Sequence, residues 1–317
     1  MRILVLGGFG FLGRHVVAAL VARNHTVVVG SRYGAPHPYD DPADDPHERR
    51  EARFERLTSP DAWAPLLGDV DAVVNCVGIL REYGRATYER VHLVAPAALA
   101  MACAEAGIRR LVHVSALGLS RGARSRFILS KLRGEIALKR SPVPCSIVRP
   151  SLLEGPSGYG SRWLRRVASW PVHFVPVDAA GRIAVIDVRD VADAIAVLCL
   201  RAPPRRSQVM ELGGRSNFKI DEYLAMLRQI QGNGRRARKV AVPAVVARIV
   251  AHACDLLHVT PFSSGHLELM RHDNVPAFNM LPRLLERAPH GLGSTLITPT
   301  GWDTVRQAMW SVESQEY

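Results

Sequence analysis

Residues 1–25 read MRILVLGGFGFLGRHVVAALVARNH. The apolar run Ile3 to Leu6 is followed at once by glycines at 7, 8, 10 and 13, and then by an amphipathic stretch of helical period from about 11 to 23. Strand, glycine turn and helix in that order make an anion site. Gly7 turns the chain tightly, Gly10 lets the backbone approach a pyrophosphate, and Gly13 allows the helix to pack close on the strand. The helix N-terminus adds unpaired N–H groups and the positive end of its dipole. The whole loop, Gly7, Gly8, Phe9, Gly10, Phe11, Leu12 and Gly13, is therefore a candidate dinucleotide site. A glycine turn without a ligand is the alternative.

Outward from this loop, short apolar β-branched runs alternate with longer helical patterns. Strands are expected at 2–6, 26–30, 71–77, 109–115 and 143–149, and helices near 11–23, 60–67, 86–106 and 124–140. The strands lack a polar alternate face, as doubly buried strands should. The expected fold class is α/β, a Rossmann-type doubly wound parallel sheet. Residues 33–48, with four prolines and four aspartates, form a polar excursion. After Pro150 the pattern loosens into a smaller α/β lobe, with a strand feeding a helix from about Asp187, a strand at 209–214, a helix at 219–231 and proline-led helices near 243 and 261. The expected division is a dinucleotide-binding domain over 1–150 and a smaller substrate or partner lobe over 151–317, partly interleaved with the first and closing a cleft.

Composition narrows the partners. The 317 residues are 48% hydrophobic and 22% charged, and 41 Lys plus Arg against 29 Asp plus Glu give a net charge of +12. A chain this long buries about 75% of its unfolded surface and needs no disulfide or metal to hold a core. The five cysteines stand singly, so neither a zinc site nor a disulfide framework is expected, and a reducing, cytoplasmic setting is. The opening apolar run is too short for a secretory signal. No stretch reaches the roughly 18 apolar residues of a membrane span; the nearest, 240–259, contains Arg248, His252 and Asp255. Basic runs at 49–56, 121–126 and 235–239 read as solvated loops or as docking sites for an acidic protein or an anionic membrane surface, which would make the protein peripheral to the membrane. Aromatics are few and not interleaved with these runs, so specific nucleic-acid binding is not expected.

The end of the second strand bears on which dinucleotide is bound. An acid there would bond the ribose hydroxyls of NAD, whereas a base would pair with the 2′-phosphate of NADP. The sequence VVVGSRYG has no acid before Asp40. Ser31 and Arg32 therefore favour NADP(H) over NAD(H), with a solvated loop arginine as the alternative.

Several segments together resemble the short-chain dehydrogenase/reductase superfamily, in its extended and atypical branch. They are GGFGFLG at 7–13, DVDAVVNCVG at 69–78, VHVSALG at 112–118, SKLRGE at 130–135, VRPSLLEGP at 148–156 and DVRDVADAI at 187–195. The second half, with MELGGRSNFKIDEYLAMLR, is similar to the nucleotide-binding accessory subunits of complex I and their bacterial relatives. The resemblance implies that Asn75, Cys76, Val77 and Gly78 line the adenosine and ribose side of the cofactor. It puts Ser115 at the catalytic serine position and Lys131 at the lysine that grips the nicotinamide ribose. It runs Pro150, Ser151, Leu152 and Leu153 beside the nicotinamide. Read without the resemblance, Ser115 is equally a polar cap at a strand end.

Two positions depart from the superfamily pattern. Active members use Tyr-x-x-x-Lys, whose phenol exchanges a proton with the substrate oxygen. Four residues before Lys131 stands Phe127, and no tyrosine in the chain is followed four residues later by lysine. Loss of a positioned acid costs about 10²–10⁴ in rate. The implied protein is weakly catalytic or non-catalytic, accessory or redox-sensing, unless Tyr83, Tyr88 or Tyr159 substitutes in an NADPH-dependent oxidoreductase or epimerase. Arg56 stands where the family usually has aspartate at the adenine edge, so it implies different adenine contacts or a charge aimed at a phosphate.

Other constellations are weaker. GLSRG at 118–122 matches G-x-S-x-G, but Ser120 should lie in a loop five residues beyond the strand end rather than on a sharp strand-to-helix turn. No metal-ligand spacing appears among the histidines, and His113 reads as a core residue. Asp187, Asp190 and Asp193 read as structural groups at a helix start.

Overall fold

The computed structural model describes residues 1–32, 47–257 and 260–292. The expected polar excursion lies outside the described residues as far as position 46.

In chain order the first elements are β1 (Arg2–Leu6), α1 (Phe11–Val21), β2 (Thr26–Ser31), β3 (Glu48–Glu51), α2 (Pro60–Leu67), β4 (Ala72–Asn75), α3 (Ala95–Glu105), β5 (Leu111–Val114), α4 (Arg126–Arg140) and β6 (Cys145–Pro150). There follow β7 (Leu153–Glu154), α5 (Tyr159–Ser169), β8 (Val172–Pro176), β9 (Arg182–Ile183), β10 (Ile186–Asp187), α6 (Val188–Leu200) and β11 (Gln208–Leu212). The last are β12 (Phe218–Lys219), α7 (Ile220–Ile230), β13 (Arg238–Val242), α8 (Ala244–Leu257), α9 (Ser264–Leu269) and α10 (Leu281–Leu285).

The chain divides into two compact units, and both are discontinuous. The first comprises 1–151, 189–212 and 276–287; the second comprises 152–188, 213–275 and 288–317. In the first, seven strands form one parallel sheet in the order β11-β6-β5-β4-β1-β2-β3. Ile3, Leu4, Val5 and Leu6 of β1 are all wholly buried, so both faces of the sheet are covered, as its unbroken apolar run requires. On one face Leu4, Leu6, Val73 and Ile147 pack with Trp63, Leu67 and Leu99 from α2 and α3. Trp63 stands edge-on to Phe54 and donates its indole N–H to the Leu57 carbonyl at 3.0 Å.

Two features depart from expectation. The run at Arg49 and Arg50 is not loop: it is β3, the outer strand of the sheet, pairing Val29 with Arg49 and Gly30 with Arg50. Glu-Arg-Arg-Glu has no apolar alternation to announce a strand, and an edge position tolerates charge on both sides. Arg50 is held there by Glu48 and by Asp69 at 2.6 Å. The helix expected over 86–106 contains one turn of π-helix, Arg90–Val94, directly before α3.

The segment 276–287 is tied to the rest of the first unit by charge. Arg287 reaches Asp190, whose side chain is fully buried, at 2.8 Å and Asp193 at 3.1 Å, while Arg23 meets Asp193 at 3.0 Å. Asp190 and Asp193 therefore do structural work at the start of α6.

The second unit is built from strand pairs rather than one sheet: β7 with β10 and β8 with β13 are parallel, β9 with β12 antiparallel. Leu164, Val167, Val175, Ile183, Tyr223, Leu224 and Leu227 make its core. At its centre Glu154 is buried, bonded by Arg165 Nε at 3.0 Å and by the Tyr223 hydroxyl at 2.5 Å. Burial and that carboxylate push the Tyr223 phenol well above its usual pKa.

Candidate functional site

Strand order in the sheet reverses between β1 and β4: β2 and β3 lie to one side, β4, β5 and β6 to the other. In an open parallel sheet such a reversal leaves a crevice at the carboxyl ends of the two strands, where ligands bind. The turns at those two ends are the glycine loop and Asn75 to Gly78.

Two glycines of the loop have the backbone geometry expected of them. Gly7 has φ +74°, a left-handed conformation that disfavours any side chain, and its N–H donates to the Gly30 carbonyl at 2.7 Å. A β-carbon on Gly13 would lie 2.0 Å from the Gly7 carbonyl oxygen, so only glycine lets α1 approach this closely. Gly10 caps α1 without a side-chain bond, and the first turn, with Phe11, Leu12 and Gly13, carries no acid. The N-terminal end of α1 thus has the chemistry of an anion cradle.

The loop after β4 comes against the first one. Cys76 N–H donates to the Leu6 carbonyl at 3.0 Å, and a β-carbon on Gly7 would sit 3.1 Å from Val77 Cγ2. Asn75, buried at the end of β4, accepts from the Val77 N–H at 2.9 Å and bonds His113 Nδ1 at 3.1 Å through its amide nitrogen. His113 is the core residue expected. Burial, with Lys131 adding to it, lowers its pKa to about 3, so the ring is neutral. Burial likewise pushes the Cys76 thiol far up.

Lys131, on α4, reaches the same place: its Nζ is 3.4 Å from the point a β-carbon would occupy on Gly78. Burial brings its pKa down to about 8, against the opposing pull of Glu135 one turn on. Phe127, one turn earlier, is buried, with Lys131 Nζ 5.9 Å from its ring centroid. Its ring meets Tyr88 and His92 edge-on at 5.8 and 5.7 Å, and those two rings stack at 5.5 Å. The Tyr88 hydroxyl donates to the Leu80 carbonyl at 2.7 Å. Tyr83 and Tyr159 are exposed. His92 Nε2 accepts from the Ile79 N–H at 3.1 Å and Nδ1 lies 2.9 Å from Ser130 Oγ, which itself donates to the Phe127 carbonyl. Burial first, then Lys131, lowers the His92 pKa to about 2.

Ser115 directly follows β5 and is buried. Its hydroxyl donates to Glu135 Oε1 at 2.5 Å, and the same carboxylate is forked by Arg149 at 2.8 and 2.6 Å. Pro150 ends β6, and Ser151 N–H donates to the Leu212 carbonyl at 2.9 Å. Leu152 and Leu153 fall in the second unit, in the segment that pairs with β10.

At the outer side of the loop, Ser31 ends β2 and Arg32 follows it, exposed. Glu51 stands opposite Ser31 in the register, but Arg53 engages that carboxylate at 2.7 Å. Arg56 is exposed in the turn after β3. Sequence reading passes over Arg49, whose guanidinium lies 4.6 Å above the Phe9 ring of the glycine loop. It also passes over His92, for which no local pattern gives a signal, and assigns no role to Ser130 and Glu135, the two ends of the SKLRGE segment. Ser120 lies in an exposed turn, bonded by the Gly122 N–H at 3.2 Å, without the sharp strand-to-helix elbow of a hydrolase nucleophile.

Known proteins place this architecture. Residues 3–213 match the model of the NAD dependent epimerase/dehydratase family. A ceramide reductase of Caulobacter vibrioides is 26% identical over 225 residues, which are 70% of this chain and 66% of that protein. The mitochondrial NADH dehydrogenase [ubiquinone] 1 alpha subcomplex subunit 9 of Dictyostelium discoideum is 28% identical over 232 residues, 70% of this chain and 62% of that one. The chain thus spans less than two thirds of the length of both relatives. In fold it is similar to the UDP-glucuronic acid 4-epimerase of Bacillus cereus, solved in complex with UDP-glucuronic acid and NAD, with a TM-score of 0.66 at 19% identity, covering 97% of this chain and 100% of the other. With the glycine loop and the strand reversal both inside the matched residues, the chain belongs to the NAD dependent epimerase/dehydratase family.

Proposed function

We propose that the chain binds NADP(H) in preference to NAD(H) at the carboxyl ends of β1 and β4, and serves as a weakly catalytic or non-catalytic nucleotide-binding protein in an accessory or redox-sensing role. The backbone of Gly7 to Gly13 would hold the pyrophosphate, Ser31, Arg32 and Arg56 the adenosine end, Asn75 to Gly78 the adjoining ribose, and Lys131 the nicotinamide ribose, with Pro150 and Ser151 beside the nicotinamide. Arg49 adds a cation beside the loop, and Arg53 neutralises the one carboxylate in register with the end of β2. Bound there, the cofactor supplies hydride chemistry.

The observation that carries the reading is Phe127. It fills the place of the proton-transferring tyrosine with a ring that has no ionisable group, packed edge-on against the stacked rings of Tyr88 and His92. Ser115 is engaged by Glu135, and His92 is held neutral, so neither stands ready as the missing acid. The likeness to a complex I subunit agrees with an accessory role and a protein partner.

A second reading, an NADPH-dependent oxidoreductase or epimerase, is favoured by Tyr88, whose hydroxyl-bearing ring lies beside Phe127. Fluorescence titration with NADPH and NADH, followed by NADPH oxidation with ketones, quinones and sugar nucleotides, separates the two. Tight NADPH binding without turnover supports the first. Turnover abolished by Tyr88→Phe supports the second, and no binding of either nucleotide overturns both.

A further inference from the structure

The large side chains of α8 face the opposite way from those of an ordinary surface helix. Its buried side is made of alanines: Ala247 and Ala251, one turn apart, pack with Leu267 of α9 and against Val242 and Phe262. Val245, Val246, Ile249, Val250, Leu256 and Leu257 are instead 46% to 75% exposed. With 3.6 residues per turn, these six fall in one stripe about 140° wide, and Arg248 and His252 lie at its border. Scattered apolar residues on a surface need no explanation, but a continuous stripe marks an interaction face.

Charge beside the stripe selects the partner. Arg235, Arg236 and Arg238 are exposed in the ten residues before α8, and Lys239 pairs with Asp221 at 2.5 Å. Arg238 opens β13, the five-residue strand that leads through Pro243 into α8, and Arg248 on α8 itself is exposed at the border of the stripe. An aliphatic stripe with exposed arginines on its own helix and on the segment leading into it matches a surface that is hydrocarbon at one depth and anionic at the next. At 14 residues α8 is shorter than the roughly 20 needed to span a bilayer, and no described helix is long and apolar enough to cross one.

We propose that α8 lies in the plane of an anionic lipid bilayer, its stripe at the acyl boundary and Arg235, Arg236 and Arg238 among the headgroups. This docking does not depend on the dinucleotide reading. The full chain is floated with vesicles of equal parts phosphatidylcholine and phosphatidylserine, and separately with phosphatidylcholine alone. The expected result is flotation with the anionic vesicles, weakened by salt, and little with the neutral ones. Ile249→Asp, at an exposed position, should lower the partition coefficient at least tenfold with no change in melting temperature. Each Arg→Gln at 235, 236 or 238 should lower it by about fivefold. Failure of the unmodified chain to float with anionic vesicles overturns the proposal, as does an Ile249→Asp variant that floats equally well. So does a dimer in sedimentation that Ile249→Asp converts to monomer, which would assign the stripe to a second copy of the chain.

Discussion

Ser115 Oγ donates to Glu135 Oε1 across 2.5 Å, on a carboxylate that Arg149 also forks, through Nε to the same oxygen and through a terminal nitrogen to Oε2. Ser115 is thus part of the support for a buried ion pair joining α4 to β6. Removing one partner of such a pair strands the other charge, at about 3–5 kcal/mol. Urea unfolding should show Arg149→Leu losing about that much and Ser115→Ala about 1.5–3 kcal/mol, the range for a hydrogen bond to a charged group. An unchanged Ser115→Ala midpoint would mean the hydroxyl contributes nothing to the fold.

Gly13→Ala places a methyl group 2.0 Å from the Gly7 carbonyl oxygen. The obstacle is backbone, so α1 must retreat from the loop. Overpacking of this kind costs about 1–3 kcal/mol. The retreat should also weaken NADPH binding more than tenfold in a fluorescence titration, and wild-type affinity in this variant would count against the cradle.

Lys131 is one of four lysines, with Lys139, Lys219 and Lys239. Because burial holds its pKa near 8, below the ordinary lysine range, it should be acylated half-maximally near pH 8. Peptide mapping after pulsed amine labelling reads this directly, and NADPH should protect the site. The sign for stability follows from the same shift. The folded state binds the proton less tightly than the unfolded state, so the penalty is complete below pH 8 and is relieved as pH rises from about 8 toward the unfolded value. Lys131→Met should remove that rise.

Arg32→Ala should weaken NADPH by about tenfold and leave NADH nearly unchanged, since only the former carries the 2′-phosphate that a guanidinium can bond. Equal losses for both nucleotides would place Arg32 on the shared pyrophosphate instead.

Much of this architecture is legible in the amino-acid order because it rests on local rules. An apolar run without polar alternation reads as a doubly buried strand, and β1, β4, β5 and β6 lie where such runs fall. The glycine spacing reads as a turn and a close approach, and Gly7 and Gly13 have those geometries. β3 is not legible, because Glu48–Glu51 is extended only through backbone pairing with β2. Arg49 reaches Phe9 only once that strand exists. Phe127 can be located by counting back from Lys131, but Tyr88 and His92 come to it through tertiary packing. The exposure of α8 is equally hidden, since a helical pattern near 243 does not say what packs over its apolar side chains.

The π-turn at Arg90–Val94 fixes an angular phase. It holds one more residue per turn than the α-helix that continues from it, and His92 sits inside it. With that extra residue, His92 Nε2 faces the Ile79 N–H while its carbonyl meets Gly134 of α4 so closely that a β-carbon there would lie 1.9 Å away. Deleting a single residue from this turn would leave a regular helix of nearly the same length but swing everything before the cut by about 100°. The aromatic cluster around Phe127 is therefore registered by a count of residues as much as by their identity, and a chain lacking that one insertion would need a different solution beneath Lys131.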